Sequence, residues 1–542
     1  MTAIVEAFDP LHFRARGWWR DETLRDWLAR CVGRDAQKTA IAASGTGLTY
    51  FELNQQVHSF AAALQEQGIG HGDIVAVHLP NIPAFLISWL AINDLGAVMQ
   101  TVHTLYGVRE LEQLLKHSGA KACIALAQTK GRSPAQDAAR LRDALPALKL
   151  VIAVSGEVPA TVNFEQLLAG SGDNNFRSPA VAATDQFLQL YTSGTTSSPK
   201  AVSVTYNQFL SNARMCAAEF GITASDRILC LAPFTHLYGL YALQLGFSAG
   251  ATACLLDVFS PPGFVQALKE FNPTMLFAGP AHVSPCLQQR MLDNIDFSAM
   301  RIAVLSGTTV PAALSAALEE KLPNGKVLQA WGMTELQFGA CSRPADSTDV
   351  RFNSIGRATP GTELRAADAG GNLFARGDTG ELQVRGCSLF SAYAGNEEAT
   401  RASFTPDGWF RTGDLASMDA EGNVRLAGRI KELINRGGIK FNPIEMEVAI
   451  SAHPAVAQVA IAPLPDPVLG ERAACFVVLK SGATFSFEDL KNYLAQRKFA
   501  KFTWPENFAI VTDMPMTPTR KVMKAELVEQ YLASTTRTQQ GE

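Results

Sequence analysis

Several patterns that mark common classes of protein are missing from this sequence of 542 residues. Its nine cysteines are scattered without a Cys-x-x-Cys pair, which argues against a disulfide framework and structural zinc and favours a reducing, cytoplasmic compartment. The formal net charge is only −4, so the charge balance does not predict binding to nucleic acid or to an anionic membrane.

Long apolar runs are missing too. Polar residues or glycines interrupt both residues 82–102 and residues 228–256. Because a membrane helix needs about 20 consecutive apolar residues, we expect no stable membrane anchor. The first residues include acidic side chains and no long apolar core, which does not fit a secretory signal.

The best-known phosphate and catalytic motifs do not match either. A P-loop requires Gly-x-x-x-x-Gly-Lys-Ser/Thr, but Pro199 is the sixth residue counted from Gly194, and Ala201 follows Lys200. The run that begins at Gly68 lacks the third glycine of a dinucleotide-binding fingerprint. Neither a Gly-x-Ser-x-Gly elbow nor a His-Glu-x-x-His motif occurs.

What the sequence does contain is a long alternation of helical and strand patterns. Predicted helices over residues 51–67 and 83–95 alternate with apolar strands over residues 74–79 and 122–126, and the alternation continues through residue 306. Such an alternation predicts right-handed crossovers and parallel sheets with both faces covered.

The chain is too long for one ordinary domain, and the pattern changes near Gly428. Residues 1–428 are predicted to form a large N-terminal domain of α/β subdomains built on parallel sheets. Short strands with glycine-rich turns near residues 350–427 predict a small β-barrel within it. Residues 429–542 are predicted to form a smaller, mobile α+β domain, so the fold class is α/β with a mobile C-terminal domain.

Residues 191–200 form a small, hydroxyl-rich loop with Gly194 near its centre and Lys200 at its end. Apolar residues run into and out of the loop, so it is predicted to connect two strands. Its backbone N–H groups, hydroxyls and ammonium group suit phosphate oxygens. The composition of this segment alone is also typical of a flexible, Ser/Thr-rich surface loop that binds no phosphate.

Two later segments place polar groups after apolar strands. Trp331-Gly332-Met333-Thr334-Glu335 brings together an aromatic face, a hydroxyl and a carboxylate, which suit a purine, a phosphate and Mg²⁺. Residues 408–415 include Asp414, whose carboxylate suits two ribose hydroxyls. Each feature alone also has a structural interpretation, such as a core tryptophan or a capping aspartate.

Taken together, these segments resemble the adenylate-forming superfamily, which includes acyl-CoA synthetases, acyl- or aryl-AMP ligases, the adenylation domains of peptide synthetases, and luciferases. The resemblance extends from Leu48 to Lys521, and the motifs fall in the family's order. It implies that residues 191–200 are the phosphate loop, residues 306–311 the adenine-side segment and residues 428–438 the hinge segment. Four positions depart from the family pattern: Ser197, Ala201, Arg520 and Trp331.

The resemblance also implies roles for individual residues. The catalytic residues are Lys521, Thr334, Glu335 and His236, and Glu335 also holds Mg²⁺. The nucleotide is bound by Thr192, Ser193, Gly194, Thr195, Thr196, Lys200, Ser306, Gly307, Thr308, Trp331, Gly332, Asp414 and Arg429. Lys431 is the hinge, and Gly437 and Gly438 line the thiol channel. The acid is expected beside His236, Leu237, Tyr238, Gly239, Ala278, Gly279, Gly332 and Met333.

The implied activity is that of an ATP-dependent carboxylic acid–CoA ligase with two half-reactions. The acid attacks the α-phosphate of ATP to give an acyl-adenylate and pyrophosphate, and the thiol of coenzyme A then displaces AMP. Positioning and electrostatics dominate the first step because negative charge develops on phosphoryl oxygens. By resemblance, the C-terminal domain rotates about Lys431 between the two steps, withdrawing Lys521.

The family resemblance also narrows the range of carboxylic acids expected as the substrate. Amino-acid-activating members carry an aspartate near the position of Thr235, and salicylate-type members carry asparagine where Leu237 stands. This sequence has neither, so we expect an apolar aliphatic, alicyclic or aromatic acid.

Two other functions stay open. One is a stand-alone acyl- or aryl-AMP ligase that loads an acyl carrier protein, because residues 435–440 and the Trp18-Trp19 pair resemble that branch as well as alicyclic-acid CoA ligases. The other is a non-catalytic AMP-binding homologue, which is disfavoured because the residues that carry the chemistry are present. A homodimer is one assembly to consider.

Overall fold

The computed structural model describes residues 9–170, 176–192, 200–368, 371–517 and 521–539. The chain divides into two compact units, which we call the N-terminal unit (Met1–Leu364 with Val384–Phe410) and the C-terminal unit (Arg365–Gln383 with Arg411–Glu542). The C-terminal unit therefore includes residues 365–383 and 411–428 beyond the predicted domain. The predicted movement about Lys431 stays a prediction.

The helices and strands are numbered in chain order. The helices are α1 (Pro10–Ala15), α2 (Leu24–Asp35), α3 (Tyr50–Glu66), α4 (Pro83–Asp94), α5 (Val108–Ser118), α6 (Pro134–Leu141), α7 (Phe164–Gly170), α8 (Tyr206–Glu219), α9 (Leu237–Ala249), α10 (Pro261–Phe271), α11 (Pro280–Gln288), α12 (Ala312–Glu319), α13 (Thr348–Asn353), α14 (Glu397–Ala402), α15 (Ile444–Ser451), α16 (Phe487–Gln496) and α17 (Lys524–Gln539).

The strands are β1 (Thr39–Ala43), β2 (Thr46–Thr49), β3 (Ile74–His78), β4 (Val98–Thr101), β5 (Ala122–Leu126), β6 (Leu150–Val154), β7 (Val162–Asn163), β8 (Gln186–Thr192), β9 (Lys200–Thr205), β10 (Arg227–Cys230), β11 (Thr252–Cys254), β12 (Met275–Ala278), β13 (Ile302–Leu305), β14 (Lys326–Met333), β15 (Gln337–Cys341), β16 (Arg357–Ala358), β17 (Thr362–Ala367), β18 (Gly380–Gly386), β19 (Phe410–Met418), β20 (Val424–Arg429), β21 (Ile434–Arg436), β22 (Ile439–Phe441), β23 (Val456–Asp466), β24 (Gly470–Leu479) and β25 (Asn507–Ile510).

Local sequence explains why these elements form where they do. Helix α3 begins at a capping box in which Thr49 and Glu52 satisfy each other's backbone N–H groups. Its apolar face, which includes Leu53 and Phe60, is buried. Helix α4 is apolar on every side and almost entirely buried, which accounts for the apolar run that begins at residue 82. Both helices confirm the predicted ones to within one residue.

Two large sheets organise the N-terminal unit. The seven-stranded sheet has the order β7-β6-β5-β3-β4-β8-β9 and is parallel apart from the β8–β9 pair. The nine-stranded sheet has the order β16-β15-β14-β13-β12-β10-β11-β1-β2, and its strands from β14 to β1 are parallel. The prediction of an α/β fold built on parallel sheets is confirmed.

A four-stranded sheet, β17-β18-β19-β20, forms where the sequence predicted a small β-barrel. Within the described residues its outer strands β17 and β20 do not pair, so the sheet is open. Four short strands are too few to close, since even a small barrel takes about five.

The C-terminal unit contains a five-stranded sheet in which β24 pairs with β21, β23 and β25. Its apolar core includes Ile434, Phe441, Ile450 and Cys475, and it confirms the predicted α+β character. All nine cysteines of the chain are buried, and none of them forms a disulfide bond. In the described part of the chain, every helix is too short or too polar to span a lipid bilayer.

Candidate active site

The carboxyl ends of four neighbouring parallel strands meet at one edge of the nine-stranded sheet. Strand β12 lies between β10 and β13, and β13 pairs on its other side with β14. The registers of these pairs align the carboxyl ends of β10, β12 and β13. Strand β14 is longer and continues past that point. Ligands of open α/β sheets bind outside this edge. The segments that extend β14 or follow the other three strands are residues 231–239, 278–280, 306–308 and 331–335, and they contain most of the predicted acid and adenine residues.

His236 is held in one tautomer by helix α9, which it caps. Its Nδ1 accepts a hydrogen bond of 3.2 Å from the backbone N–H of Tyr238. The proton of the neutral ring therefore sits on Nε2, which can donate to a carboxylate oxygen. Glycine is required at position 239, because a Cβ there would lie 2.2 Å from the carbonyl oxygen of Pro233.

Asn81, which the sequence interpretation missed, fixes the turn that leads to His236. Its side chain accepts a hydrogen bond of 2.8 Å from the backbone N–H of Phe234 and donates one of 3.0 Å to the carbonyl of Ala232. Asn81 is buried. It follows β3, a strand of the other large sheet, and the only signal in the sequence was its place just after an apolar strand.

His103 is a second missed residue. Its Nδ1 lies 3.0 Å from the hydroxyl oxygen of Thr235, and its ring stacks on that of His236 with centroids 6.1 Å apart. Burial lowers the pKa of His103 to about 4, so the ring is neutral at neutral pH. His103 thus adds an uncharged polar neighbour beside His236.

The predicted acid pocket is lined mainly by apolar groups. Ala278 is fully buried, Leu237 is buried and Met333 is half-buried. The hydroxyl of Tyr238 donates to the backbone carbonyls of Val304 at 2.9 Å and Ala278 at 3.3 Å. Tyr238 can therefore offer its ring to a ligand, while its hydroxyl is used by the protein backbone.

The predicted adenine-side residues follow β13. The backbone N–H of Ser306 donates to the carbonyl of Ala278 at 3.1 Å, which places Ser306 beside Gly279. Gly307 has a φ of +94°, in the left-handed region that favours glycine, and both Gly307 and Thr308 are exposed. Their backbone groups are accessible to a ligand at this edge of the sheet.

A tight connection between β14 and β15 presents Thr334 and Glu335. A Cβ at position 332 would lie 1.9 Å from the carbonyl oxygen of Gln337, so only glycine fits there. Trp331 is buried, with its ring against Gly339. Thr334 is half-buried in the turn, and Glu335 is buried.

Tyr393 holds the Glu335 carboxylate. Its hydroxyl donates a hydrogen bond of 2.7 Å to Glu335 Oε1, and the backbone N–H of Phe390 donates to the Glu335 carbonyl at 2.7 Å. Burial, together with the negative charge of Glu335, raises the pKa of Tyr393 well above its ordinary value. Tyr393 therefore stays protonated and acts as the donor. The sequence interpretation missed this residue.

Glu335 and the turn around it fit a magnesium ion bound mainly by a nucleotide. Within the described residues, no group of three or more His, Cys, Asp and Glu side chains is placed to hold a metal. Mg²⁺ commonly binds through one or two carboxylates together with substrate phosphates. A single oriented carboxylate beside the Thr334 hydroxyl is a donor set of that kind.

The predicted phosphate loop lies between two strands, β8 and β9, as expected from the sequence. Its ends, Thr192 and Lys200, face each other across the antiparallel pair. The predicted ligands Ser193, Gly194, Thr195 and Thr196 lie outside the described residues. The Lys200 ammonium lies 4.6 Å from the centre of the Tyr393 ring, a cation–π distance.

The C-terminal unit holds the second group of predicted residues. Asp414 on β19 faces Arg429 on β20, and Arg429 Nε donates to Asp414 Oδ1 at 2.7 Å. The hydroxyl of Thr412 accepts from the backbone N–H of Asp414 at 3.0 Å and donates to the Leu382 carbonyl at 2.6 Å. Asp414 is buried, while Arg429 keeps about half of its side chain exposed.

The residues predicted to form the hinge and the thiol channel lie just after β20. Lys431 is exposed in a short 3₁₀ turn, Ile430–Glu432. Gly437 and Gly438 form the two-residue turn between β21 and β22, with φ values of +60° and +89°. A hairpin turn with both φ values positive strongly prefers glycine, so these glycines have a structural reason to be present as well as a predicted functional one.

Lys521 closes a turn near the end of the chain. Its backbone N–H donates to the Thr517 hydroxyl at 3.0 Å, and its carbonyl accepts from the Thr517 N–H at 2.8 Å. Lys521 is exposed to solvent. The surrounding protein nevertheless lowers the pKa of its ammonium group, mainly by desolvation and also through the positive charge of Arg429. Asp414 and Glu432 act in the opposite direction. Within its own unit, Lys521 thus shares an electrostatic environment with Asp414 and Arg429.

Comparison with known proteins agrees with the motifs. The family of AMP-binding enzymes matches residues 28–394, and the C-terminal domain of AMP-binding enzymes matches residues 445–521. The chain is 32% identical to the 3-[(3aS,4S,7aS)-7a-methyl-1,5-dioxo-octahydro-1H-inden-4-yl]propanoyl:CoA ligase of Mycobacterium tuberculosis, over 93% of this chain and 97% of the relative. It is 28% identical to the medium-chain fatty-acid–CoA ligase of Escherichia coli, over 94% and 91% of the two chains.

A solved structure agrees with the fold. The ATP-bound MatB of Rhodopseudomonas palustris superimposes with a TM-score of 0.82 at 26% identity, covering 93% of this chain and 98% of that one. The chain therefore belongs to the family of AMP-binding enzymes, in the acyl-CoA synthetase branch of the adenylate-forming superfamily.

Proposed function

We propose that this AMP-forming acid–thiol ligase joins an apolar carboxylic acid to coenzyme A through an acyl-adenylate, releasing pyrophosphate and then AMP. The observation that carries the proposal is the tautomer of His236. Because Nδ1 accepts from the Tyr238 N–H, the neutral form of the ring carries its proton on Nε2, and the predicted acid residues that accompany His236 include the buried apolar side chains of Leu237 and Ala278. A neutral donor beside apolar groups recognises the oxygen of a carboxylate whose remaining body is apolar.

In the N-terminal unit, the proposed work is done by side chains from segments at the ends of strands in both large sheets. His236 orients the acid, the Thr334 hydroxyl donates to a phosphate oxygen, and Lys200 contributes positive charge at the end of the phosphate loop. Glu335 would hold Mg²⁺, which when bound neutralises charge on the nucleotide phosphates. Trp331 and the segment at Gly307 provide the surface proposed for adenine.

In the C-terminal unit, different residues are proposed to serve the two half-reactions. Asp414 would accept hydrogen bonds from ribose hydroxyls, and Arg429 would support it. Lys521 would bridge the acid and the α-phosphate as a positive point charge in the first step. Gly437 and Gly438 would border the path of the thiol in the second step, in which a bulky side chain would obstruct it.

The names of two relatives support an acid with an apolar body. The Mycobacterium tuberculosis relative is named for a bicyclic propanoic acid derivative, and the Escherichia coli relative for medium-chain fatty acids. Both acids carry one carboxylate on a largely hydrocarbon body. We therefore propose an aliphatic, alicyclic or plain aromatic acid for this protein.

A screen of carboxylic acids tests the proposal. Pyrophosphate release is measured with ATP and Mg²⁺ over a panel that varies chain length and ring type, and the product formed after adding coenzyme A is identified by mass. We expect release with apolar acids and an acyl-CoA product. Release without an acyl-CoA, together with acylation of an added carrier protein, would instead support the stand-alone AMP ligase.

A further inference from the structure

Tyr393 contacts two groups that the proposed function uses, although it belongs to neither of the motifs that contain them. Its hydroxyl donates to Glu335 Oε1 at 2.7 Å. Its ring faces the Lys200 ammonium at 4.6 Å. Glu335 and Lys200 are far apart in sequence, so Tyr393 is a point at which the carboxylate and the end of the phosphate loop meet.

The position of Tyr393 is fixed on both sides by the backbone. Tyr393 forms an antiparallel bridge with Val202 on β9, and the backbone N–H of Ala394 donates to the Ala201 carbonyl at 2.8 Å. The backbone N–H of Tyr393 itself donates to the Thr400 hydroxyl at 3.0 Å. Because the side chain is also only 5% exposed, the ring and hydroxyl have little freedom to move.

A fixed, neutral donor has a specific effect on a carboxylate. The hydrogen bond from Tyr393 occupies one oxygen of Glu335 and sets the plane of the group, without removing its negative charge. Outer hydrogen-bond partners of this kind orient metal-binding carboxylates and affect their affinity for the metal. The aromatic ring meanwhile attracts the Lys200 ammonium through its face.

We propose that Tyr393 is a positioning residue, whose hydroxyl orients Glu335 toward the metal of the metal–nucleotide complex and whose ring holds Lys200 at the end of the phosphate loop. The inference rests on the proposed role of Glu335 as the metal-binding carboxylate. It assigns the two effects to different parts of one side chain, so two substitutions separate them. Tyr393→Phe removes the hydroxyl and keeps the ring, while Tyr393→Leu removes both.

The test measures binding and needs no turnover. The dissociation constant of ATP is determined by titration calorimetry without any acid, once with Mg²⁺ and once without, and the ratio of the two constants is the metal effect. We expect Tyr393→Phe to reduce the metal effect about tenfold, at the low end for losing an outer partner of a metal ligand. Binding of metal-free ATP should be unchanged in this variant.

Tyr393→Leu should show the same loss and should also weaken metal-free ATP about two- to fivefold, because Lys200 loses its aromatic partner. Tyr50→Phe is the matched control, since the Tyr50 hydroxyl makes a buried hydrogen bond of 2.7 Å to the Ala251 carbonyl in the same unit. The control should keep the full metal effect.

Glu335→Gln distinguishes the two possible failures. If Glu335→Gln loses the metal effect while Tyr393→Phe behaves like Tyr50→Phe, the inference about Tyr393 is overturned and the proposed role of Glu335 stands. If Glu335→Gln itself keeps the metal effect, the proposed role of Glu335 is wrong, and the inference fails with it.

Discussion

Glu335 in the N-terminal unit and Asp414 in the C-terminal unit are both buried carboxylates, but they accept hydrogen bonds from side chains of different kinds. Glu335 accepts a hydrogen bond from the neutral hydroxyl of Tyr393, whereas Asp414 accepts one from the charged guanidinium of Arg429. A hydroxyl orients a carboxylate and leaves its negative charge in place, while a guanidinium largely offsets that charge. The first arrangement suits a group that binds a cation, and the second suits a group that accepts hydrogen bonds from neutral hydroxyls.

The same difference is seen among the other residues of each candidate site. In the N-terminal unit, His236, His103 and Tyr238 make hydrogen bonds with backbone groups or hydroxyls. In the C-terminal unit, Lys521 lies within the electrostatic influence of the charged side chains of Arg429, Asp414 and Glu432. We infer that the N-terminal site is organised by neutral polar groups and the C-terminal site by charged pairs, and substitutions in each can test this contrast.

The largest expected effect comes from the charge at Lys521. Lys521→Ala should slow acyl-adenylate formation by about 10²- to 10³-fold, as is typical when one electrostatic donor to a transition state is removed. Thioester formation from added acyl-adenylate should be almost unchanged. Both half-reactions are measured separately, with Lys480→Ala, an exposed lysine of the same unit, as the control. An equal loss of rate in both half-reactions would contradict the proposal that different C-terminal residues serve the two half-reactions.

Low pH should reduce the folding stability of the protein around the neutral N-terminal site. Burial, with the nearby charge of Arg132, lowers the pKa of His78 from 6.5 to about 4. The unfolded chain takes up this proton at higher pH than the folded one, so stability is complete above about pH 6.5 and is lost as the pH falls toward 4. Between pH 7.5 and pH 5, His78 alone should account for a loss of roughly 2 kcal/mol.

Urea unfolding of the wild type and of His78→Gln over this pH range checks the prediction. The variant should lose about half of the pH dependence, because His103, whose pKa is also about 4, contributes a similar share. Identical pH dependence in both proteins would show that His78 does not have the lowered pKa.

The smallest expected effect concerns the glycine turn of the C-terminal unit. Gly438→Ala places a side chain at φ +89°, which should cost about 1 kcal/mol of stability. Gly482→Ala is the matched control, since Gly482 has φ +74° in the same unit and neither glycine has an atom within 4 Å of an added Cβ. Both variants should lose similar stability in urea unfolding, and only Gly438→Ala should slow thioester formation. Equal rates in the two variants would leave these glycines with a structural role alone.

Much of the fold could be predicted because the signals are local. The Thr49–Glu52 capping box, the apolar run of helix α4 and the glycine pair at 437–438 each act within a few residues. The predicted barrel is the exception, because closure depends on which outer strands meet across the sheet. Local patterns of turns and strands carry no information about that pairing.

The site was predictable only in part for the same reason. The motif residues were found because each lies in a recognisable segment, whereas Asn81, His103 and Tyr393 act through contacts with distant parts of the chain. Tyr393 reaches Glu335 across 58 residues, and His103 reaches Thr235 across 132. Such contacts exist only once folding has brought these distant segments together.

The most direct test of the contrast is the binding of AMP without any metal. AMP carries the ribose hydroxyls proposed for Asp414 but lacks the β- and γ-phosphates that are proposed to share a metal with Glu335. Titration calorimetry should show that Asp414→Asn weakens AMP binding about tenfold or more, as expected for lost hydrogen bonds to a charged group, while Glu335→Gln binds AMP like the wild type. The opposite pattern, with AMP weakened by Glu335→Gln and unaffected by Asp414→Asn, would contradict the assignment of the two carboxylates.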